Sequence, residues 1–446
     1  MGLGGAMNSG VSGLQAFSNA MSVIGNNLAN TNTAGFKASR TLFSDLMPDT
    51  VTGSGGTSQI GRGANLSVVD DVFKQGSIES SSSNLDLAIE GSGFFMVRNP
   101  ENQTNNFTRA GTFRLDEQGY LTNPEGYIVQ GYASQGEDGF EDLTSDIRID
   151  TRSLVKGRAS DEVGLTTNLD AGEKLVEGYD DSDGTPEWDI NNPTDSSNFA
   201  TTSEVYDSLG NSHLITTYFT KTDSNNWTYN QTVPYEDLEE TENSGTTDGD
   251  NTMVEVNSGS FTFDGNGKLE KIDGNSVGED GTAETTIEEG NLPWKNGADQ
   301  QQEVDYEMNI TQFATDSKVV TQQANGYTSG YLTDLSVDKE GTITSTYSNG
   351  ETRNDAKLAL GKFSNDNGLE KVGKNLYQAT NDSGPADVGM PGSGVGKIFS
   401  NSLEQSTVDI AEEFTKMITT QRSFQANSRT ITTTDEMLNE VINMKR

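Results

Sequence analysis

VSGLQAFSNAMSVIGNNLANTNTAGFK, residues 11–37, carries a long regular pattern and no charged side chain until its last residue. With the residues ahead of it included, Leu3, Met7, Leu14, Phe17, Met21, Ile24 and Leu28 recur in alternating steps of four and three, broken only by Gly10. That is the spacing of one helix face and predicts a helix here. A solvated helix keeps charges on its free face. This one offers only Ser, Asn, Gln and Gly there, which predicts protein on both of its sides.

The other end of the chain has a matching pattern. Ile410, Met417, Phe424, Ile431 and Leu438 follow one another at seven-residue intervals, with Phe414 and Ile442 at the interleaved positions beside Gln421, Ser428 and Asp435. A long amphipathic helix is expected, and two terminal heptad helices predict ends that pair with each other and with copies of themselves. An ordinary intramolecular hairpin is the alternative, but it gives no reason for the absence of charge in residues 1–36. Helices lacking burial for their apolar face are marginal in water, so the ends are expected to be largely unstructured in the monomer. Phe424 is expected between helices of an assembly, with Thr420 off the stripe.

GNNLANTNTAGFK (25–37) resembles the N-terminal signature of the bacterial flagellar rod and hook proteins. The residues that carry it are Asn26, Asn27, Leu28, Ala29, Asn30, Thr33, Gly35, Phe36 and Lys37. QRSFQANSRTITTTDEMLNEVINMKR (421–446) resembles their C-terminal signature. AIEGSGFF, FTRAGTFRLDEQGYL and GYIVQGY are similar to their central domain. VYDSLGNSH and FTFDGNGKL are similar to the outer domain of the hook members, which the shorter rod members lack.

Composition is compatible with that resemblance. The 446 residues suffice for two or three domains, and 31% hydrophobic content is lean but able to form cores. A formal charge of −39 argues against nucleic acid and anionic membranes as partners. Residues 151–310 hold 34 Asp and Glu against 8 Lys and Arg, which predicts a water-facing segment. Without cysteine there is neither a disulfide framework nor a thiolate site. No basic region precedes an apolar core at the N-terminus and no apolar run is long enough to span a bilayer, so neither a cleaved signal nor a membrane helix is expected.

Along the chain, Leu42, Phe43, Leu46 and Met47 form a short apolar pattern ending at Pro48, and the Gly/Ser/Thr-rich residues 51–64 read as a flexible surface loop. Residues 66–78 look extended, and Leu85, Leu87 and Ile89 alternate ahead of a Gly-x-Gly break. Short strands separated by turns at 116–119 and 123–126 then predict a compact β domain; that its second half lies at 326–351 and 358–363 is what the resemblance implies. Within the acidic insertion, 201–220 reads as two strands turning at Asp207–Asn211, and 258–272 as a second pair.

Sites of chemistry are largely refused. His213 is the only histidine, too little for a metal cluster or a catalytic triad, and reads as a strand-end residue. GSGVGK (392–397) has Pro391 where a phosphate loop needs its first glycine and Ile398 where it needs Ser or Thr. Asp180, Asp181 and Asp183 with Gly184 imitate a calcium loop, but its first and twelfth ligands would be Tyr179 and Ile190, which leaves weak surface binding as the most that cluster suggests.

The expected fold is therefore α+β: long terminal helices pairing as a coiled coil, with two mainly antiparallel β domains between them. The expected divisions are 1–32 plus 406–446, terminal and helical; 33–84 plus 395–405, connecting; 85–145 plus 311–394, a central β domain; and 146–310, an acidic outer β domain. What the resemblance implies is a structural subunit, not an enzyme and without cofactors, that polymerises into the curved tube joining rod to filament. It also implies self as first partner, then distal rod, hook cap, hook-filament junction protein and the flagellar type III exporter, and a place in the extracellular hook. A distal rod or junction protein, or a secreted adhesin with helical oligomerising ends, is the alternative.

Overall fold

The computed structural model describes residues 2–444 apart from 54–55, 137–138, 153, 178–186, 240–251, 278–281 and 289. It divides into two compact units, residues 1–151 with 333–346 and 352–446, and residues 152–332 with 347–351.

In the first unit, helix α1 (Gly2–Ala29) lies along helix α2 (Ile410–Met444). The face that α1 buries is made of Gly10, Gly13, Ala16, Ala20, Ile24 and Asn27. A β-carbon on Gly13 would stand 2.7 Å from the Asn427 amide, and one on Gly10 would stand 2.9 Å from Ile431 Cγ1. So close an approach admits short side chains, and α2 answers with Glu413, Thr420 and Thr434 buried and Met417, Asn427, Ile431 and Leu438 half-buried. Thr420 is thus inside the helix pair, not off the stripe as its sequence position suggested, because the small residues of α1 select the polar, short-chained side of α2. The large apolar residues are displaced to the flanks. Leu14, Phe17, Met21 and Leu28 are half-buried, while Met7, Ile410, Phe414, Phe424 and Ile442 are exposed. The Leu3 side chain lies outside the described residues.

After α1 the chain forms an antiparallel ribbon, Ser39–Asp45 on Ala64–Asp71, with Phe43 reaching back to Phe17. Asp49–Gly53 pairs with Gly56–Ile60, so most of the segment read as a flexible loop is a hairpin. Its Thr50, Val51, Thr52 and Thr57 are β-branched and favour extended backbone, a signal that the Gly and Ser content hid.

Beyond the ribbon, strands from the two halves of the chain alternate. Leu87–Glu90 pairs with Lys397–Ser400, Phe94–Arg98 with Leu360–Lys362, Asn105–Thr108 with Leu376–Gln378, Ile128–Ser134 with Thr352–Leu358, and Ile78–Ser80 with Ser402–Glu404. Phe94, Phe107, Phe363 and Tyr377 meet at tilted or edge-on angles in the core beneath them. The return of the chain therefore closes nearly every strand that its outward run left open.

The second unit packs two sheets on one core containing Phe219, Trp227, Phe261, Trp294 and Tyr306. One sheet is an antiparallel series from Phe199–Tyr206 through Ser212–Asp223, Asn226–Pro234 and Met253–Phe263 to Leu269–Ile272. In the other, Glu162–Asp170 runs parallel to Val304–Phe313 and antiparallel to Lys318–Ala324. A parallel neighbour needs a long crossover, here everything between residues 170 and 304. Because Val304–Phe313 spans residue 310, the limit expected there falls inside a strand.

Five turns share one chemistry that the sequence reading did not recognise. Asp116, Asn123, Asp207, Asp264 and Asp338 each begin an Asx-x-x-Gly segment, and each side-chain oxygen accepts the amide of the residue four on. The glycine amide donates to the carbonyl of the first residue, and every glycine, from Gly119 to Gly341, has φ between +77° and +85°. Glycine is required there because a β-carbon strains that conformation.

At Asp207 the turn is reinforced. The buried carboxylate also accepts from Leu209 N, Asn211 Nδ2, Asn296 Nδ2 and His213 Nε2. Burial alone would raise its pKa, but these hydrogen bonds outweigh burial and hold it at about 2, down from 3.8. A carboxylate depressed in the folded state stabilises above its unfolded pKa and loses that contribution as pH falls through the folded value. Between pH 4 and pH 2 the second unit should lose roughly 2 kcal/mol from this residue. Calorimetric melts of Asp207→Ala should be lower than the parent at neutral pH and converge with it toward pH 2.

Candidate assembly site at the joined termini

The two helices are joined by polar side chains of the segment that follows α1. Asn27, at the last turn, donates through Nδ2 to Ser39 O at 2.7 Å and to Glu413 Oε2 of α2 at 3.3 Å, and accepts Ser39 N at 2.9 Å. Asn30 bonds back to Asn26 O, and Thr33 Oγ1 donates to Asn30 Oδ1, so the helix ends in a side-chain-bonded turn. Gly35 has φ +71°, and a β-carbon on it would stand 2.5 Å from Ala110 N. Its amide donates to Glu404 O at 2.7 Å, Thr407 N donates to Phe36 O, and Ala38 N donates to Thr407 Oγ1. Asp409 then caps α2 by accepting Ala411 N and Glu412 N.

Beneath this clasp lies a buried charge cluster. Lys37 Nζ donates to Glu404 Oε1 at 2.6 Å and to Lys74 O at 2.7 Å, with the lysine side chain 1% exposed and the glutamate 0%. Gly76 N donates to the same Oε1 at 2.7 Å. Arg109 lies over the Phe94 ring, 3.5 Å from Glu404 Oε2, and donates to Gly91 O. Burial pushes the pKa of both cations down, and Glu404 restores only part of the loss. One carboxylate thus holds two cations and an amide from three separate segments.

Of the residues singled out from sequence, the signature residues Asn27, Thr33, Gly35, Phe36 and Lys37 are brought together in this joint. The heptad residues are split between the α1–α2 seam and the exposed flanks. Glu404, Arg109 and Glu413 were missed: each is one acidic or basic residue among many, and nothing in a single sequence pairs it with Lys37 or Asn27 across the length of the chain.

The refused chemistries are also placed. His213 is stacked on Trp294 with centroids 3.8 Å apart and bonded to Asp207. In the 392–397 loop, Gly392 N donates to Gly396 O and Gly396 N to Ser92 O, so these amides are already used. Asp180, Asp181, Asp183 and Gly184 lie outside the described residues. Among the described residues no group of carboxylates and histidine is placed to hold a metal ion, and no helix is long and apolar enough to cross a membrane.

Four family models cover the chain in succession: flagella basal body rod protein at residues 7–37, flagellar hook protein FlgE/F/G D1 domain at 88–164, flagellar basal body protein FlaE D2 domain at 168–327, and flagellar basal body rod FlgEFG protein C-terminal at 400–444. The chain is 34% identical to the flagellar hook protein FlgE of Treponema pallidum, over 98% of this chain and 99% of that one. The chain belongs to the flagellar hook protein family. Hook proteins of Borreliella burgdorferi and Salmonella typhimurium are 32% and 30% identical to it, each over 98% of both chains. The crystal structure of a Helicobacter pylori hook protein, 17% identical, covers 73% of this chain and 100% of its own with a TM-score of 0.50, a likeness of fold.

Removing one partner of a buried ion pair typically costs about 3–5 kcal/mol, because the other charge is left uncompensated. Glu404→Gln strands two cations and should destabilise the first unit by that amount. Lys37→Met leaves Glu404 still paired to Arg109 and should cost less. Denaturant titration of the full chain, with the second unit's transition as internal reference, measures both.

Proposed function

We propose that this chain is a structural subunit, without enzymatic activity, that polymerises into the flagellar hook, the flexible tube through which rod drives filament. The observation that carries the reading is the division of the terminal helices. Their seam is built mainly of small and polar residues, with Ile24 and Ile431 among them, while Phe424, 41% exposed, and Ile410, Phe414 and Ile442 stay in water. A large apolar stripe left outside an internal helix pair supports packing by neighbouring copies. In this reading Leu3, Met7, Leu14, Phe17, Met21 and Leu28 on α1 and Ile410, Phe414, Met417, Phe424, Leu438 and Ile442 on α2 form the polymerisation surface, as coiled-coil contacts between subunits, whereas Ile24 and Ile431, expected there from sequence, belong to the internal seam. Copies meeting through non-identical faces extend an open helical array instead of closing.

We propose a layering within the tube as well, with the terminal helices innermost, the central β strands in the wall and the acidic residues 146–310, for their excess of carboxylates, toward water. Distal rod, hook cap, hook-filament junction protein and the type III exporter are the further partners proposed, with export of an uncleaved chain to the hook.

Electron microscopy of the purified chain tests the reading, since tubes are expected at high concentration and their absence would sink it. Burying a phenylalanine contributes roughly 1.5–3 kcal/mol per copy. Phe424→Asp forfeits that and repeats a charge at every subunit contact, so it should abolish tubes while leaving the monomer's melting unchanged. Leu214→Asp, exposed in the second unit, should polymerise like the parent.

A further inference from the structure

Between α1, the ribbon and α2 lies an open groove of about 320 Å³, floored by Ala20, Val23, Ile24 and Phe43 and walled by Lys416 and Thr419. It is continuous with the α1–α2 seam, since Ala20, Ile24, Glu413 and Thr420 belong to both. Residues advance about 100° each around a helix. Phe414 and Ile418, 48% and 50% exposed, therefore project from α2 about half a turn away from Lys416 and Thr419, at the same height along the axis. One turn of α2 thus carries a hollow on one side and two apolar side chains on the other.

We infer that Phe414 and Ile418 of one copy seat in the Ala20–Val23–Phe43 groove of the next. This rests on the proposed hook-subunit function and specifies the contact that drives it. Charge supports a second copy as the occupant. A chain of net charge −39 repels itself wherever unpaired carboxylates meet. At the groove mouth Arg40 is paired with Asp70, and Lys416 is held 2.9 Å from both Glu412 and Glu413, which leaves one carboxylate charge in excess for a cation of the incoming copy to meet. The projecting face offers Ala411, Gln421 and Gln425 beside its two apolar residues, with Arg422, one turn beyond Ile418, as its nearest charge. Because hollow and projection differ and lie on opposite sides at one height, each docking leaves a free copy of both. Growth then proceeds sideways across the helix axes, which places α2 along a wall instead of end to end.

The chain has no cysteine, so one introduced pair reports on this contact alone. In Val23→Cys/Ile418→Cys, diamide should oxidise the two thiols to an inter-copy disulfide and give a ladder of multimers on non-reducing gels, at least tenfold stronger than in Val23→Cys/Thr433→Cys. Tubes without a ladder would overturn this inference and leave the hook-subunit reading intact; absence of tubes from the parent chain would overturn both. Thr419→Trp fills the groove and should block tubes without changing monomer melting. If it polymerises like the parent, the groove is not the contact. Should the reduced double variant not assemble, Thr419→Trp decides alone.

Discussion

A carboxylate buried with two cations is the constraint on which the first unit depends. Glu404 lies near the end of the return strand, and through it the exit of α1, the loop at residues 74–76 and the Arg109 turn are held to the entry of α2. Taking three charges from water is expensive, and hydrophobic residues of similar volume would often be no less stable. What an ion cluster supplies that an apolar plug does not is direction: its hydrogen bonds admit one arrangement of the segments. We regard Lys37, Glu404 and Arg109 as fixing the angle at which both helices leave the sheet.

In the helices it is side-chain size that selects the arrangement. The heptads of the sequence correctly marked two long helices, and the α+β class was legible from period and turn signals together with the resemblance. Which face meets which was not. A heptad identifies large apolar residues, whereas a single chain's closest approach is decided by where the backbone can come near, at Gly10 and Gly13. Period finds the first and ignores the second, so Thr420 was misplaced and Phe414 turned outward.

The candidate site was half visible for a related reason. Resemblance named the residues around Lys37 because they form a contiguous motif, but their acidic partners Glu404 and Glu413 stand more than three hundred residues away in sequence, where no local pattern reaches. In the second unit the turn at 207–211 was read correctly from Asp, Gly and Asn, and 258–272 as a strand pair. The parallel pairing of Glu162–Asp170 with Val304–Phe313 was not, since strand direction is set by how a long crossover packs and leaves no trace in either strand.

The Asx-x-x-Gly turns carry a kinetic consequence. Each is closed by bonds among five consecutive residues, so it can form before any distant segment has arrived, and hairpins close in about 1–10 μs. Several strands of the first unit, Leu87–Glu90 and Ile78–Ser80 among them, must by contrast wait for a partner from the opposite end of the chain. Register is thereby decided locally and early, and the slow search for remote partners begins from strands whose inward and outward faces are already chosen. A chain so punctuated can be handed over in extended form, one end first, and still meet its partners in the right alignment.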